Sequence, residues 1–333
     1  MEKNKSVKRM DWRQKVLISI LGSFIVILSI LFCITYHYFV KKIETGNEKV
    51  VLMTFEQAEK NLKNVLENAE LCLNKYVTND LIWDYKNDYP ETDVESNKLK
   101  VRITDSFIDE MAVNRELSAL GFLRGDGRGI VSSAFRKNRT GNTEISGKLL
   151  EALRQSKNAY PYTTWLPGWE LSLNSESPLR LMNQNASLIG IKALGESSEL
   201  EKDGYLIVAV SESDIQNTYR SVAFDDSTAV LVDGNNQIIS NVGGNLLGEQ
   251  LEPGNDTQNI EYALDIYDWK LCDMIPKQEY MKDAKDIRNF GVLMCLAAIL
   301  STAFVSIVWS RKYTRPIEPV SYTHLRAHET ELH

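Results

Sequence analysis

Hydrophobic positions along the chain fall into three patterns, and each predicts a different kind of element. Two runs are apolar throughout. Val16–Val40 reads VLISILGSFIVILSILFCITYHYFV, Phe290–Trp309 reads FGVLMCLAAILSTAFVSIVW, and neither holds a charge. A bilayer core of roughly 30 Å takes about 20 helical residues, so both runs predict membrane-spanning helices. The first is too long for a cleaved leader and exits through Val40-Lys41-Lys42 without a small-residue step. Phe32 ahead of Cys33 also excludes a lipoprotein site. It reads as an uncleaved anchor.

The second pattern has the helical period. Leu52, Phe55, Ala58, Leu62, Val65, Leu66, Ala69, Leu73 and Tyr76 recur at i, i+3, i+4. They predict one helix over about Ile43–Val77 with a single buried stripe, continuing from the first span.

The third pattern is short apolar runs around turn residues. Ala119–Leu123 and Ile130–Ser133 flank Arg124-Gly125-Asp126-Gly127-Arg128-Gly129; Ala229–Val232 and Gln237–Ser240 flank Asp233-Gly234-Asn235-Asn236. Both predict β-hairpins, because Gly, Asn and Asp tolerate the positive φ of tight turns. GFLRGDGRGIVSS aligns over AVLVDGNNQIISN at a shift of 108 residues without a gap, which suggests two similar modules in tandem. Strands over Tyr205–Ser211, Asn259–Ile266 and Trp269–Ile275 complete the modules. Helix-compatible Glu212–Val222 follows the first closing strand. After the second, Pro276 starts a helix over about Lys277–Arg288 that runs into the second span.

Charge orients this plan. Residues 1–15 carry a net +4, and Arg311, Lys312 and Arg315 follow the second span. Lys and Arg favour the cytoplasmic side, so both ends are expected inside and residues 41–289 outside the cell. The outer segment carries −12 of the chain's −7 balance, the C-terminal residues 310–333 adding +1. A pI near 5.4 argues against a nucleic-acid partner, and four Cys are too few for a disulfide scaffold.

Catalytic chemistry is thin in the outer segment. Its 249 residues contain no His; the four are His37 in the first span and His324, His328 and His333 near the end. A Ser-His-Asp triad or a His-ligated zinc site cannot be built there. Neither a metal nor a cofactor is expected. Cys72 and Cys272 are expected as buried, unpaired thiols rather than as a disulfide. Binding is the stronger reading. Tyr160, Tyr162, Trp165 and Trp169 fall within ten residues, and small-ligand pockets are rich in aromatic walls. Core packing of large side chains is the competing account of the same cluster.

The sequence of span, long helix, two α+β modules with strand–DG–strand hairpins, closing strand DWKLCDMIP and second span resembles the double Cache ectodomain of bacterial membrane receptors. Ser310–Val320, SRKYTRPIEPV, resembles the start of a HAMP linker through Thr314-Arg315-Pro316-Ile317. The combination is most similar to two-component sensor histidine kinases, with chemoreceptors sharing the layout. The resemblance implies an α+β fold of antiparallel PAS-like sheets behind a long N-terminal helix. Its distal module spans about 78–225 and its proximal module about 226–289. It also implies a small-molecule ligand outside the cell, a homodimer with its seam along Ile43–Val77, membrane lipid around the spans, and a response regulator reached through a cytoplasmic output domain. Amino-acid-binding members carry Arg-x-Trp-Tyr and an Asp in the closing strand. Here Thr163-Thr164-Trp165-Leu166 stands in the first place and Ser211 in the second, both departures that point away from an amino acid or amine. Tyr160, Tyr162, Trp165, Trp169 and Ser211 are the expected pocket walls. Trp269, Ile275 and Thr314–Ile317 are the expected transmission path. A chemoreceptor, an anchored ectohydrolase and a purely structural membrane protein are the rival readings. Val320–Thr330, VSYTHLRAHET, matches a translated frame of a transposon-based sequencing adapter. Residues 320–333 are therefore expected to be a scar, with 310–319 as the last natural segment.

Overall fold

The computed structural model describes residues 12–309 apart from 88–92, 136, 172–175, 183–185, 196–202, 221–225, 244 and 253. Residues divide into two units, one holding the chain up to Asn47 and from Tyr280 onward, the other Glu48–Glu279. Helix α1 (Trp12–Val77) contributes to both.

In the first unit α1 meets α7 (Lys282–Trp309), and both helices are long and apolar enough to cross a membrane. Gly291 is the hole for a Phe32 knob, since a Cβ at 291 would run into the Phe32 ring. The short helix α6 (Lys277–Tyr280) ends on α1: Tyr280 donates its hydroxyl to the Glu44 carbonyl (3.0 Å), and Asn47 Nδ2 donates to the Tyr280 carbonyl (3.1 Å). The single helix expected over Lys277–Arg288 is broken, with Met281 between α6 and α7. The helix also begins one residue after the expected Pro276, which closes the preceding strand.

The second unit carries two antiparallel sheets. The larger holds β1 (Leu117–Arg124), β2 (Arg128–Ser133), β3 (Asn138–Asn142), β4 (Thr164–Pro167), β5 (Ala186–Ala193) and β6 (Gly204–Ser211), in the order β3-β2-β1-β6-β5-β4. The smaller holds β7 (Thr228–Val232), β8 (Ile238–Asn241), β9 (Thr257–Ala263) and β10 (Lys270–Pro276), in the order β8-β7-β10-β9. The repeat is visible here: β2-β1-β6-β5 and β8-β7-β10-β9 are the same arrangement, a hairpin, a closing strand and the strand before it. The residue-for-residue alignment at 108 does not carry over into register. Phe122 faces Ile130, but its counterpart Val230 faces Asn241, three residues from Ile238; a bulge between the Leu231 and Val232 pairs accounts for one of the three, and a hairpin paired two residues further on accounts for the rest.

Both turns are tied by an aspartate. Asp126 Oδ1 accepts from Arg128 N (3.0 Å), and Gly127 takes φ +91 where a Cβ would meet the Thr143 carbonyl. Asp233 Oδ1 accepts from Asn235 N (2.9 Å) and Gln237 N (2.8 Å), with Asn236 at φ 60.

Strand β6 is buried on both faces, which is why it reads GYLIVAVS without alternation. One face joins Ala119, Val131, Ile189 and Ile207 to Leu149 and Leu153 of α4 (Gly147–Asn158) and to Leu179 and Met182. The other meets helices: α2 (Asp80–Asn87) sets Tyr85 edge-on to Phe122, and α3 (Asp93–Val113) packs on β1 and β2. The α1 stripe is buried as expected at Phe55, Ala58, Leu62, Leu66, Ala69, Leu73 and Tyr76. Leu52 and Val65 are only half-buried, and Val51 and Cys72 join the stripe in their place.

Candidate functional site

Strand alternation separates the aromatic cluster that sequence proximity had joined. Trp165 pairs with Gly190 across β4 and β5, and its ring lies over that glycine, where an added Cβ would come within 3.0 Å of both the indole and Val208. Leu166, the next residue, faces the opposite side with α4. Tyr160 is half-buried against that same α4 side, and Tyr162 is exposed. Trp169, in the 3-10 turn Gly168–Glu170 after β4, reaches the smaller sheet. Its Nε1 donates to the Ile238 carbonyl (3.1 Å) and its ring covers Gly248, 3.2 Å from where a Cβ would sit. Tyr160 and Trp165 thus pack on opposite faces, and Trp169 bridges the two sheets.

Ser211 sits where β6 becomes α5 (Glu212–Tyr219). It is the N-cap of that helix, its Oγ accepting from Asp214 N (3.1 Å) and bonding the Asp214 carboxylate. It also lines an open cleft of about 760 Å³ with Arg115, Ser118, Phe135, Glu212 and Leu247. That volume suits a small molecule.

Helix α5 ties the larger sheet to the smaller. Glu212 Oε1 accepts from Ser240 Oγ (2.8 Å), Asn241 N (3.2 Å) and Gln216 Nε2 (2.9 Å). Tyr219 shares a 2.6 Å hydroxyl contact with Ser240, and its burial holds that phenol well above the usual tyrosine range. From β8 the ladder runs through β7 to β10, whose Pro276 is followed directly by α6. The expected path residues lie on this strand: Trp269 is buried at its entrance, 5.0 Å from the Tyr267 ring, and Ile275 is fully buried at its end. Thr314, Arg315, Pro316 and Ile317 lie outside the described residues.

Two functional candidates were missed in the sequence. Glu212 had no distinguishing neighbour. Asp273 did carry a signal, an acid inside the apolar run KLCDMIP. It is fully buried, and neither carboxylate oxygen has a hydrogen-bond partner. Burial pushes its carboxyl up to about 6, opposed by the neighbouring Ser227 side chain. Cys72 and Cys272 are both buried and free, and burial pushes each thiol up to about 12. Among the described residues no cluster of His, Cys, Asp and Glu could hold a metal ion.

No protein-family profile matches the chain, and no curated protein sequence matches it. Solved structures do. The extracellular domain soHK1S-Z6, ascribed to a histidine kinase, matches with a TM-score of 0.51 at 10% identity, over 73% of this chain and 98% of that one. The chain shares that domain's fold. A second such domain, vpHK1S-Z8, gives 0.48 at 10% identity over 73% and 96%. The ligand-binding domain of the Campylobacter jejuni chemoreceptor Tlp3, in complex with 4-methylisoleucine, gives 0.45 at 12% over 72% and 94%. Beside that fold, α1 and α7 are each long and apolar enough to cross a membrane.

Proposed function

We propose that the chain is the sensing part of a two-span bacterial receptor. A double Cache ectodomain, distal module about 78–225 and proximal module about 226–289, binds a small molecule outside the cell. The signal passes through β10, α6 and the second span to a HAMP linker and a cytoplasmic output domain, a histidine kinase acting on a response regulator. The observation that carries this reading is the covalent run from a central sheet strand into an apolar helix, Lys270–Pro276 to Lys282–Trp309, on a sensor-domain fold. The receptor works as a C2 homodimer along the α1 stretch Ile43–Val77, with lipid around both spans and both termini in the cytoplasm.

Of the five expected wall residues, Ser211 lines an open cleft, so ligand contact is assigned there, with Arg115 and Phe135 as further walls. A ligand that favours one conformation shifts the equilibrium by its differential affinity alone. The test is a thermal-shift screen of small molecules on the ectodomain. A ligand at about 100 times its Kd stabilises by about 2.7 kcal/mol. The shift should vanish in Ser211→Trp, which fills the cleft. Turnover of a screened compound with no thermal shift would favour the anchored-hydrolase reading instead.

A further inference from the structure

Asp273 stands out among the buried groups because it is fully buried while neither of its carboxylate oxygens meets a hydrogen-bond partner of good geometry, the Ser227 hydroxyl being the one nearby group that favours its charge. It lies mid-way along β10, opposite Ala229 on β7 and Ile260 on β9. It shares a face with Leu271 and Ile275. Tyr262, on the same face of β9, touches Phe55 of α1 (6.2 Å between rings) and donates to Glu59 (2.8 Å), so this face packs on the buried α1 stripe of Val51, Phe55, Ala58 and Leu62.

The charged and titratable groups around this face are occupied elsewhere or point away. On α1, Glu59 is taken by Tyr262 and by Asp265 N (2.6 Å), while Glu48, Lys49, Glu56 and Lys60 are exposed. On β9, Glu261 lies on the opposite face and pairs with Lys270 (3.8 Å). In the β9–β10 turn stand Asp265 and Asp268. Strand β7 offers no charge, only the Ser227 hydroxyl before it. Glu212 and Tyr219 are bound to Ser240 on β8. Among the described residues no cation is paired with the Asp273 carboxylate. An ionised carboxylate sealed among apolar side chains without a partner is costly, and a proton removes that cost.

We propose that Asp273 is a proton switch built into the transmission strand: protonated, it lets β10 pack tightly between Ala229 and Ile260 against α1, and ionised, it loosens the strand that leads into α6. The receptor then reads external acidity in addition to its ligand. The proton-binding half stands on burial and geometry, whereas the transmission half rests on the proposed role of β10.

The test uses the full chain in lipid nanodiscs, wild type beside Asp273→Asn and Asp273→Val. Unfolding temperature is followed from about pH 7.5 to about pH 5. Near pH 7.5 at least one variant should unfold several degrees above wild type, and that gap should close as pH falls. A gap that stays constant with pH in both variants, or both variants unfolding below wild type throughout, overturns the proposal. Hydrogen exchange over residues 270–280, corrected for its intrinsic pH dependence, separates the two halves. Wild type should gain protection at the acid end and the folded variant should not. A closing stability gap without any change in this exchange would leave the receptor reading standing but overturn the switch.

Discussion

Replacing Trp169 decides whether the aromatic cluster is a ligand wall or a strut between modules. The indole spans from the larger sheet to the smaller, with a 3.1 Å hydrogen bond to the Ile238 carbonyl and its ring over Gly248. Truncating a fully buried Trp to Ala costs roughly 3–5 kcal/mol. Trp169 is half-buried, which brings Trp169→Ala to about 2 kcal/mol. Trp169→Phe keeps the ring over Gly248 and loses only the N–H. Because Gly248 N also donates to Ile238 O (2.8 Å), that carbonyl is not orphaned, and the cost stays at or below about 1 kcal/mol. For a unit of this size, about 2 kcal/mol lowers the unfolding temperature by roughly 4–8 °C. Calorimetry should show that drop for Ala, a smaller one for Phe, and a broader transition for Ala as the two sheets uncouple. If Trp169→Ala stays within about 0.5 kcal/mol of wild type with one sharp transition, the strut reasoning is wrong.

Gly190→Val should destabilise by roughly 1–3 kcal/mol, because its Cβ would come within 3.0 Å of Trp165 and Val208 in a packed core; urea unfolding measures it, and a neutral result would mean that the indole is free to move. Cys72 and Cys272 should resist maleimide near neutral pH until denaturant is added, since both thiols are buried and pushed up to about 12; mass spectrometry of labelled peptides checks this. For Asp273 the sign follows from linkage. A folded carboxyl at about 6 against 3.8 binds more protons than the unfolded chain between those values, so stability falls as pH rises from about 4 to about 6 and is level above. The difference of about two pH units corresponds to roughly 3 kcal/mol at neutral pH, which Asp273→Asn should largely recover.

What the sequence disclosed depended on whether one residue's neighbours lay along the chain or across it. The α1 stripe and both hairpin turns were legible because helix period and Asp-tied turns are local. Leu99, Ile103, Phe107 and Met111 spell the same period for α3 and went unread. Strand β3, NRTGN, has no apolar residue and is fully exposed, so its place at the sheet edge is held by backbone pairing to β2 and left no trace in the pattern. The aromatic cluster scattered for a different reason. Nearness along the chain did not foretell nearness in space, because Tyr160 and Trp165 pack on opposite faces of the larger sheet and a following turn carries Trp169 to the smaller one. Ser211 was selected by alignment to a ligand-contacting Asp, and its position depended on a helix cap that the run Ser211-Glu212-Ser213-Asp214 already contained.

The location of the cleft bears on how small a stimulus the receptor needs. On the proposed reading, a ligand touching Ser211 or Asp214 acts on the N-cap of α5, the helix whose Glu212 and Tyr219 hold Ser240 and Asn241 of β8. Altering one cap contact is worth about 1 kcal/mol, and one hydrogen bond to a carboxylate about 1.5–3 kcal/mol. Those figures match the 1–3 kcal/mol typical of coupling between sites. A ligand therefore needs no large rearrangement of the six-stranded sheet, whose buried core would resist one. On that reading a change in the purchase of α5 on β8 suffices, because β8, β7 and β10 are successive strands of one ladder, and β10 ends at α6, which precedes the apolar helix α7.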